Sequence, residues 1–185
     1  MDNMQDTTDT VSKILDAAES RIRSQGFNAF SFRDIASDVG IKSASVHYHF
    51  PTKADLGEAV LSRYAQRLNA YLTENSEKNQ AKDQLQRYIE HYENLLAKEN
   101  AKCVAGMLAS EQGSLPEDLA AAVKQYFDQQ IDWLKDVFKR CYPDDKKKKS
   151  KARAQQLIAA LQGGGLLALA LGEKKILERA YKDLL

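Results

Sequence analysis

Two helix starts, two helix stops and a tight turn are compressed into residues 31–56, SFRDIASDVGIKSASVHYHFPTKADL. Ser31 and Asp34 have the spacing of a capping box, in which each side chain answers a free backbone N–H of the other end. Phe32, Ile35, Ala36 and Val39 then recur at i, i+3, i+4 and i+7, one apolar face of a helix about two turns long. Gly40 follows where a helix end wants a residue tolerant of positive φ, and Ile41 is an apolar plug. Ser43 can cap a second short helix over residues 44–50. Within it Val46 and Phe50 pack inward, while Lys42, Ser45, His47, Tyr48 and His49 project outward. Pro51 stops this helix, because the residue before a proline avoids the α region. Two helices joined by a glycine turn, the second short and carrying polar and aromatic tips, form the helix-turn-helix arrangement that reads a DNA groove.

The rest of the chain is helical in pattern as well. A helix over residues 10–24 places Val11, Ile14, Leu15, Ala18 and Ile22 on one face, and Gly26 ends it. Phe27 and Phe30 are expected to close a three-helix core with Phe32, Ile35, Val46 and Phe50. Thr52 and Asp55 repeat the capping-box spacing and launch a fourth helix through Leu56, Val60, Tyr64, Leu68 and Leu72, too long to serve the head alone. Residues 74–82 read as a loop. A fifth helix carries Leu85, Tyr88, Ile89, Tyr92 and Leu96, and a short sixth carries Val104, Met107 and Leu108. Gly113 breaks it, and Ser114-Leu115-Pro116-Glu117 is a new start. A long seventh helix runs to Cys141, before Pro143. Residues 144–151 read as a charged loop, an eighth helix spans about 152–171 and a ninth about 173–184. No period-two strand pattern is present, so the expected fold is all-α with about nine helices.

The eighth helix carries the Gly163-Gly164-Gly165 run among Leu157, Ile158, Leu161, Leu166, Leu167, Leu169 and Leu171. A mid-helix glycine costs about 1 kcal/mol relative to alanine, so three together need an offsetting gain, such as close approach of another backbone or a ligand beside the helix. Apolar residues on more than one face are explained economically by a subunit interface, and two-fold dimers are the commonest oligomers.

Bulk properties narrow the class. With 43% hydrophobic and 29% charged residues the chain is that of an ordinary soluble globular protein. No run of about 18 apolar residues is evident, so no membrane span is expected. The polar, acidic N-terminus, MDNMQDTTDT, reads as a short disordered lead-in and not a signal peptide, and places the protein in the cytoplasm. Cys103 and Cys141 make no disulfide framework. The net charge of +1 is low for a DNA binder. Affinity must therefore come from where charges sit, and two copies must bind together.

At the residues Ile35, Ala36, Gly40, Ile41, His49, Phe50, Thr52, Lys53 and Leu56 the sequence resembles the DNA-binding head of the tetracycline-repressor-like (TetR) family, over roughly residues 11–72. The family has an Ile-Ala-x-x-x-Gly-Val-type second helix and turn. A recognition helix ending in Tyr-x-His-Phe follows, and then a Ser/Thr-Lys-x-x-Leu start. The family's first recognition tyrosine is His47 here, with Tyr48 beside it. The resemblance implies a head over residues 8–68 and an effector-binding and dimerisation domain over residues 69–185. It implies a homodimer on a double-stranded DNA operator, and a small-molecule effector whose pocket lies among the fifth to eighth helices. With the recognition helix in the major groove, Lys42, Ser43, Ala44 and Ser45 face base edges or phosphates. Tyr48, His49 and Lys53 then contact the backbone, Arg33 reaches over from the second helix, and His47 joins the contact set.

Tyr88, Tyr92, Met107, Tyr126, Trp133 and Gln162 add polar tips to an apolar body, which suits either a small-molecule pocket or a core whose polar atoms point outward. The resemblance places the dimer contact in the last two helices, where Leu161, Gly164, Leu167, Ala168, Leu177 and Tyr181 are the interface candidates. Cys103 opens a short helix beside Lys102, a setting that favours thiolate. The pattern Cys103-x-x-Gly106-x-Leu108-x-x-Glu111 resembles a branch of the family in which the corresponding cysteine senses electrophiles or oxidants in some members. A small packing residue is the plainer reading.

No cofactor or metal is expected. His47 and His49 stand about 200° apart round a helix and no acidic or thiol cluster has ligand spacing with them. The glycine run follows no strand, as a phosphate loop would. Lys146–Lys149 reads as a solvated charge run. No nucleophile, base and orienting group occur together, so an enzyme is not expected. The alternative from another class is an all-α scaffold that binds a protein or small molecule without DNA, which would lack a salt-dependent DNA affinity.

Overall fold

The computed structural model describes residues 2–74, 80–98, 100–144 and 147–185, and among them every regular element is helical. The α-helices are α1 (Asp2–Gln25), α2 (Phe32–Val39), α3 (Ser43–His49), α4 (Lys53–Thr73), α5 (Ala81–Lys98), α6 (Val104–Ser110), α7 (Glu117–Cys141), α8 (Lys147–Leu171) and α9 (Lys175–Tyr181). Single 3-10 turns cover Gln112–Ser114 and Lys182–Leu184. The all-α expectation holds. Three local expectations do not. The polar N-terminus is helical from Asp2, so the lead-in belongs to α1. The lysine run is helical from Lys147, while Asp145 and Lys146 lie outside the described residues, as does most of the loop expected over 74–82. The helix Lys148–Leu171 is also long and apolar enough to cross a membrane, its most apolar 18-residue window having a mean hydropathy of 1.4, because leucine and alanine dominate its C-terminal part.

Local chemistry sets the helix ends that matter. The Asp34 carboxylate accepts from both the Ser31 N–H and its hydroxyl at 2.7 Å, and these bonds hold the Asp34 carboxyl below its usual range. Gly40, at φ 76°, turns the chain so that the Ile41 N–H reaches the Ala36 carbonyl at 3.0 Å. At the start of α4 the box is reciprocal: the Thr52 N–H donates to Asp55 at 2.8 Å, and the Asp55 N–H donates to the Thr52 hydroxyl at 3.1 Å.

The contacts group into two compact units: residues up to Tyr64 together with Val104–Lys124, and Ala65–Cys103 together with Gln125–Leu185. The expected head at 8–68 follows chain order, whereas packing adds α6 and the start of α7 to it. In the first unit Phe27, Phe30, Phe32, Ile35, Val46 and Phe50 are all buried, with Ile14, Ala18 and Ile22 of α1 and Val104, Ala105 and Leu108 of α6. Gly57 makes this possible: a Cβ there would lie 2.7 Å from Leu119 and 2.9 Å from Phe27. Arg21 clamps α1 to α2 through a bidentate pair with Asp38.

In the second unit, Leu85, Tyr88, Ile89 and Tyr92 of α5 join Leu134, Val137 and Phe138 of α7 and Ala154, Leu157 and Leu161 of α8 in the core. The glycine run has one tight member. A Cβ on Gly164 would lie 2.9 Å from the Ala180 Cβ and 3.4 Å from the Leu177 Cα, so α9 is seated directly against the α8 backbone. Gly163 and Gly165 face open space. The Tyr181 hydroxyl donates to Glu93 at 2.5 Å, and burial together with that carboxylate pushes its phenol well above the ordinary value.

The other side of α8 is bare. Gly163, Leu166, Leu167 and Ala170 share one face at i, i+3, i+4 and i+7, and Leu166, Leu167 and Leu171 are 49%, 55% and 69% exposed. Of the interface candidates, Leu161, Ala168, Leu177 and Tyr181 are buried within the chain itself, and Gly164 is covered by α9. Leu167 alone among the six presents its side chain outward.

Candidate nucleic-acid interface

The helix-turn-helix fixes which side chains are displayed. Val46 is fully buried beneath α3, and this places Tyr48 on the outside, 82% exposed. The Tyr48 ring meets His49 edge-on at 5.1 Å between centroids. Arg33, Lys42, Ala44 and His47 are exposed, and Ser43, Ser45 and His49 are half-buried. His47 leans its ring edge-on against Phe32, 4.6 Å between centroids, and so stands at the seam between α3 and α2.

Beside α3 lies an open cleft of about 510 Å³, lined by Phe30, Ser31, Phe32, Arg33, Ser43, His47, Pro51, Thr52 and Lys53. Its lining combines apolar Phe30, Phe32 and Pro51 with the cations Arg33 and Lys53 and the hydroxyls of Ser31, Ser43 and Thr52. The starts of α2 and α4 both open onto it. Each of these starts is capped by its own carboxylate, Asp34 and Asp55, so the cations of the cleft, Arg33 and Lys53, are the groups left to meet an anionic oxygen. The Lys53 Nζ sits 4.5 Å from the Phe27 ring centroid and 4.4 Å from that of Phe30. Burial lowers its pKa, an effect opposed by the charges of Glu111 and Asp34. The ammonium is therefore partly stripped of water and held by rings on one side.

The structure brings Arg33, Ser43, His47 and Lys53 to a single cleft, with Lys42, Ala44, Ser45, Tyr48 and His49 on the adjoining α3. Sequence reasoning missed Ser31, Thr52 and Pro51 as parts of the same surface. Ser31 and Thr52 were legible as caps, and two hydroxyl caps flanking a recognition helix were the available signal.

The effector candidates divide. Tyr88 stacks on Trp133 with centroids 5.8 Å apart and lies 5.6 Å from Tyr92, and the Gln162 amide donates to the Tyr92 hydroxyl at 3.2 Å. These four form one connected group in the second unit. The Tyr88 hydroxyl is buried with no well-formed hydrogen bond, and burial drives its pKa up. Cys103 and Tyr126 are buried in the same unit, whereas Met107 belongs to the first. Cys141 is half-buried, and desolvation pushes its thiol up. Among the described residues there is no cluster of three or more metal-ligating side chains.

A three-helix head presenting an exposed recognition helix beside a cationic cleft defines a helix-turn-helix DNA-binding protein. The sequence profile described as bacterial regulatory proteins, tetR family, matches residues 14–60, and that of the LmrA/YxaF-like transcriptional regulator C-terminal domain matches residues 81–183. A TetR transcriptional regulator from Legionella pneumophila is 38% identical, with a TM-score of 0.85 and 93% of each chain covered. A TetR-family regulator from Agrobacterium tumefaciens is 31% identical, with a TM-score of 0.88 and 96% of each chain covered. The reduced form of Escherichia coli NemR shares the fold at 22% identity, with a TM-score of 0.80 and 95% of each chain covered. No curated protein matches the chain. The chain belongs to the TetR family of bacterial transcriptional regulators, whose members are non-enzymatic DNA-binding proteins.

Proposed function

We propose that the protein is a homodimeric repressor, released from a palindromic operator by a small-molecule effector and working in the cytoplasm. The observation that carries this reading is the surface around Tyr48. The recognition helix displays its polar tips beside the cleft that the starts of α2 and α4 share with Arg33 and Lys53. A phosphodiester in that cleft would turn its oxygens toward Arg33 and Lys53 and its sugar against Phe32 and Pro51. Lys42, Ser43, Ala44 and Ser45 then face base edges. Half-sites lie about one helical turn apart, or a multiple of that.

The effector sits in the body, against the Tyr88–Trp133–Tyr92–Gln162 group. α4 is one unbroken helix whose residues fall in both units, and it carries the signal to the head. An effector acts only through its difference in affinity for the two shapes. Typical couplings are about 1–3 kcal/mol.

Titration of a selected operator duplex against salt tests the DNA contacts. Tyr48→Ala and Lys53→Met should each weaken binding about tenfold whatever the sequence, with the salt slope falling by about one for Lys53→Met. Methionine keeps the stem between Phe27 and Phe30 and removes only the charge. Lys42→Ala should also blur sequence preference. Unchanged affinity in all three would remove the contact assignment.

The effector is read as a reversible ligand, since Cys103 is only 7% exposed. Brief alkylation followed by intact-protein mass measurement should label Cys141 ahead of Cys103. Faster labelling of Cys103 would reassign the effector as an electrophile.

A further inference from the structure

The corner between α1 and α2 is held from a distance in sequence. The Glu111 carboxylate, just after α6, accepts the backbone N–H of Phe27 at 2.8 Å and that of Asn28 at 3.2 Å, both on one oxygen. The Asn28 side-chain amide approaches the same oxygen at 3.4 Å and donates to the Ser114 hydroxyl at 2.9 Å. Two successive backbone N–H groups aimed at one carboxylate oxygen make a small anion nest, and such charge-assisted bonds are stronger than neutral ones. The site is built for this carboxylate. Gly26 adopts φ +92°, and a Cβ there would stand 2.3 Å from the other Glu111 oxygen, so only glycine lets the hook close. Lys53, which lines the DNA cleft, feels the same negative charge.

The position of the hook gives it a consequence. Phe27 and Phe30 flank the corner and carry Lys53 on their rings. Residues 27–31 lead directly into α2, which starts at the cleft. Glu111 belongs to the segment Val104–Lys124, which follows the body helix α5 along the chain yet packs in the head's own unit. A displacement of α6 therefore reaches the Phe27–Asn28 corner through the Glu111 hook, in addition to the packing of Val104, Ala105 and Leu108 in the head core.

We propose that Glu111 is a positioning residue for operator recognition: its hook on the Phe27 and Asn28 amides sets the angle of the helix-turn-helix, and release of the hook is how the α6 segment disengages the paired heads from their operator. This rests on the DNA-binding reading above. The hook orients the head and leaves each head's own phosphate contacts in place. Its loss lowers discrimination between operator and other DNA, where a general loss of stability would lower both affinities alike.

The test measures affinity for a selected palindromic duplex and for a mixed-sequence duplex at one salt concentration, with amide hydrogen exchange at Phe27 and Asn28. Glu111→Ala should speed exchange at both amides at least tenfold. It should also cut the ratio of the two affinities about tenfold, with mixed-sequence binding within about twofold of wild type. Asn28→Asp, at an exposed residue where a second carboxylate repels the first, should do the same in a chain that folds normally. Glu111→Gln, which can still present an acceptor oxygen, should fall between. Faster exchange with an unchanged affinity ratio in both disruptive variants would overturn the proposal, as would unchanged exchange. A wild-type protein that bound neither duplex would sink the DNA-binding reading itself, and this inference with it.

Discussion

Leu167→Asp is expected to leave the chain folded and make it sediment as a 20.8 kDa monomer at micromolar concentration, with operator affinity at least about 100-fold lower. Leu167 is 55% exposed, so a carboxylate there costs the single chain little, within about 0.5 kcal/mol. In a pair of chains the same carboxylate is buried against an apolar partner surface. Burying a fully exposed leucine contributes about 1.5–3 kcal/mol, and the half to two-thirds of Leu166, Leu167 and Leu171 still exposed supplies a corresponding part of that at each of the three per protomer. Gly163 and Ala170 on that face let a partner helix approach closely. The loss in DNA binding follows because one head alone forfeits the effective concentration that tethers the second. The bare strip also accounts for a helix apolar enough to resemble a membrane span. Its inward side is occupied by Ala154, Leu157, Leu161 and Ala168, and its outward side exposes Leu166, Leu167 and Leu171. A Leu167→Asp protein that remained dimeric would move the interface elsewhere.

Gly164→Val and Gly165→Ala are expected to shift stability in opposite directions, although the two glycines are adjacent. At Gly164 the first added carbon already overlaps the Ala180 Cβ at 2.9 Å and crowds the Leu177 backbone at 3.4 Å. Overpacking of this kind costs about 1–3 kcal/mol, and the branched valine adds to it. The consequence is α9 pushed off α8, with the Tyr181–Glu93 bond disturbed. At Gly165 an added carbon meets nothing within 4 Å, so alanine should stabilise by up to about 1 kcal/mol through helix propensity. Thermal unfolding reads both, at about 2–4 °C per kcal/mol for a chain of this size. Equal shifts in the two variants would mean that α9 does not seat on Gly164.

Those two glycines show where the sequence speaks and where it stops. The glycine run announced a close approach, but only the fold says that Gly164 makes it. Periodicity likewise announced an α8 apolar on several faces without saying which face α9 takes. Of the interface candidates, Leu161, Gly164 and Ala168 on α8 and Leu177 and Tyr181 on α9 are covered within the chain, whereas Leu167 faces outward. Local signals fared better. The Ser31–Asp34 and Thr52–Asp55 boxes, the Gly40 turn and the stop at Pro51 each act within a few residues, so they were readable in order. Composition misleads at Lys147–Lys151, where a like-charged run reads as a loop although helices tolerate lysine well; the helix over Asp2–Thr10, rich in aspartate and threonine, has no such account in its residue propensities. The Glu111 hook lay beyond reach for a different reason. Its partners are more than 80 positions away, and a glutamate after a short helix carries no mark of a distant amide pair.

The most direct test moves the half-sites of the selected operator. Inserting about five base pairs between them turns one half-site to the opposite side of the duplex. If two identical chains hold their recognition helices at the pitch of duplex DNA, wild-type protein should bind the original duplex with two chains per site. Affinity should fall about 100-fold or more on the lengthened one, down to the level of Leu167→Asp. Equal affinity for both duplexes, or one chain bound per original site, would contradict the paired-head mechanism.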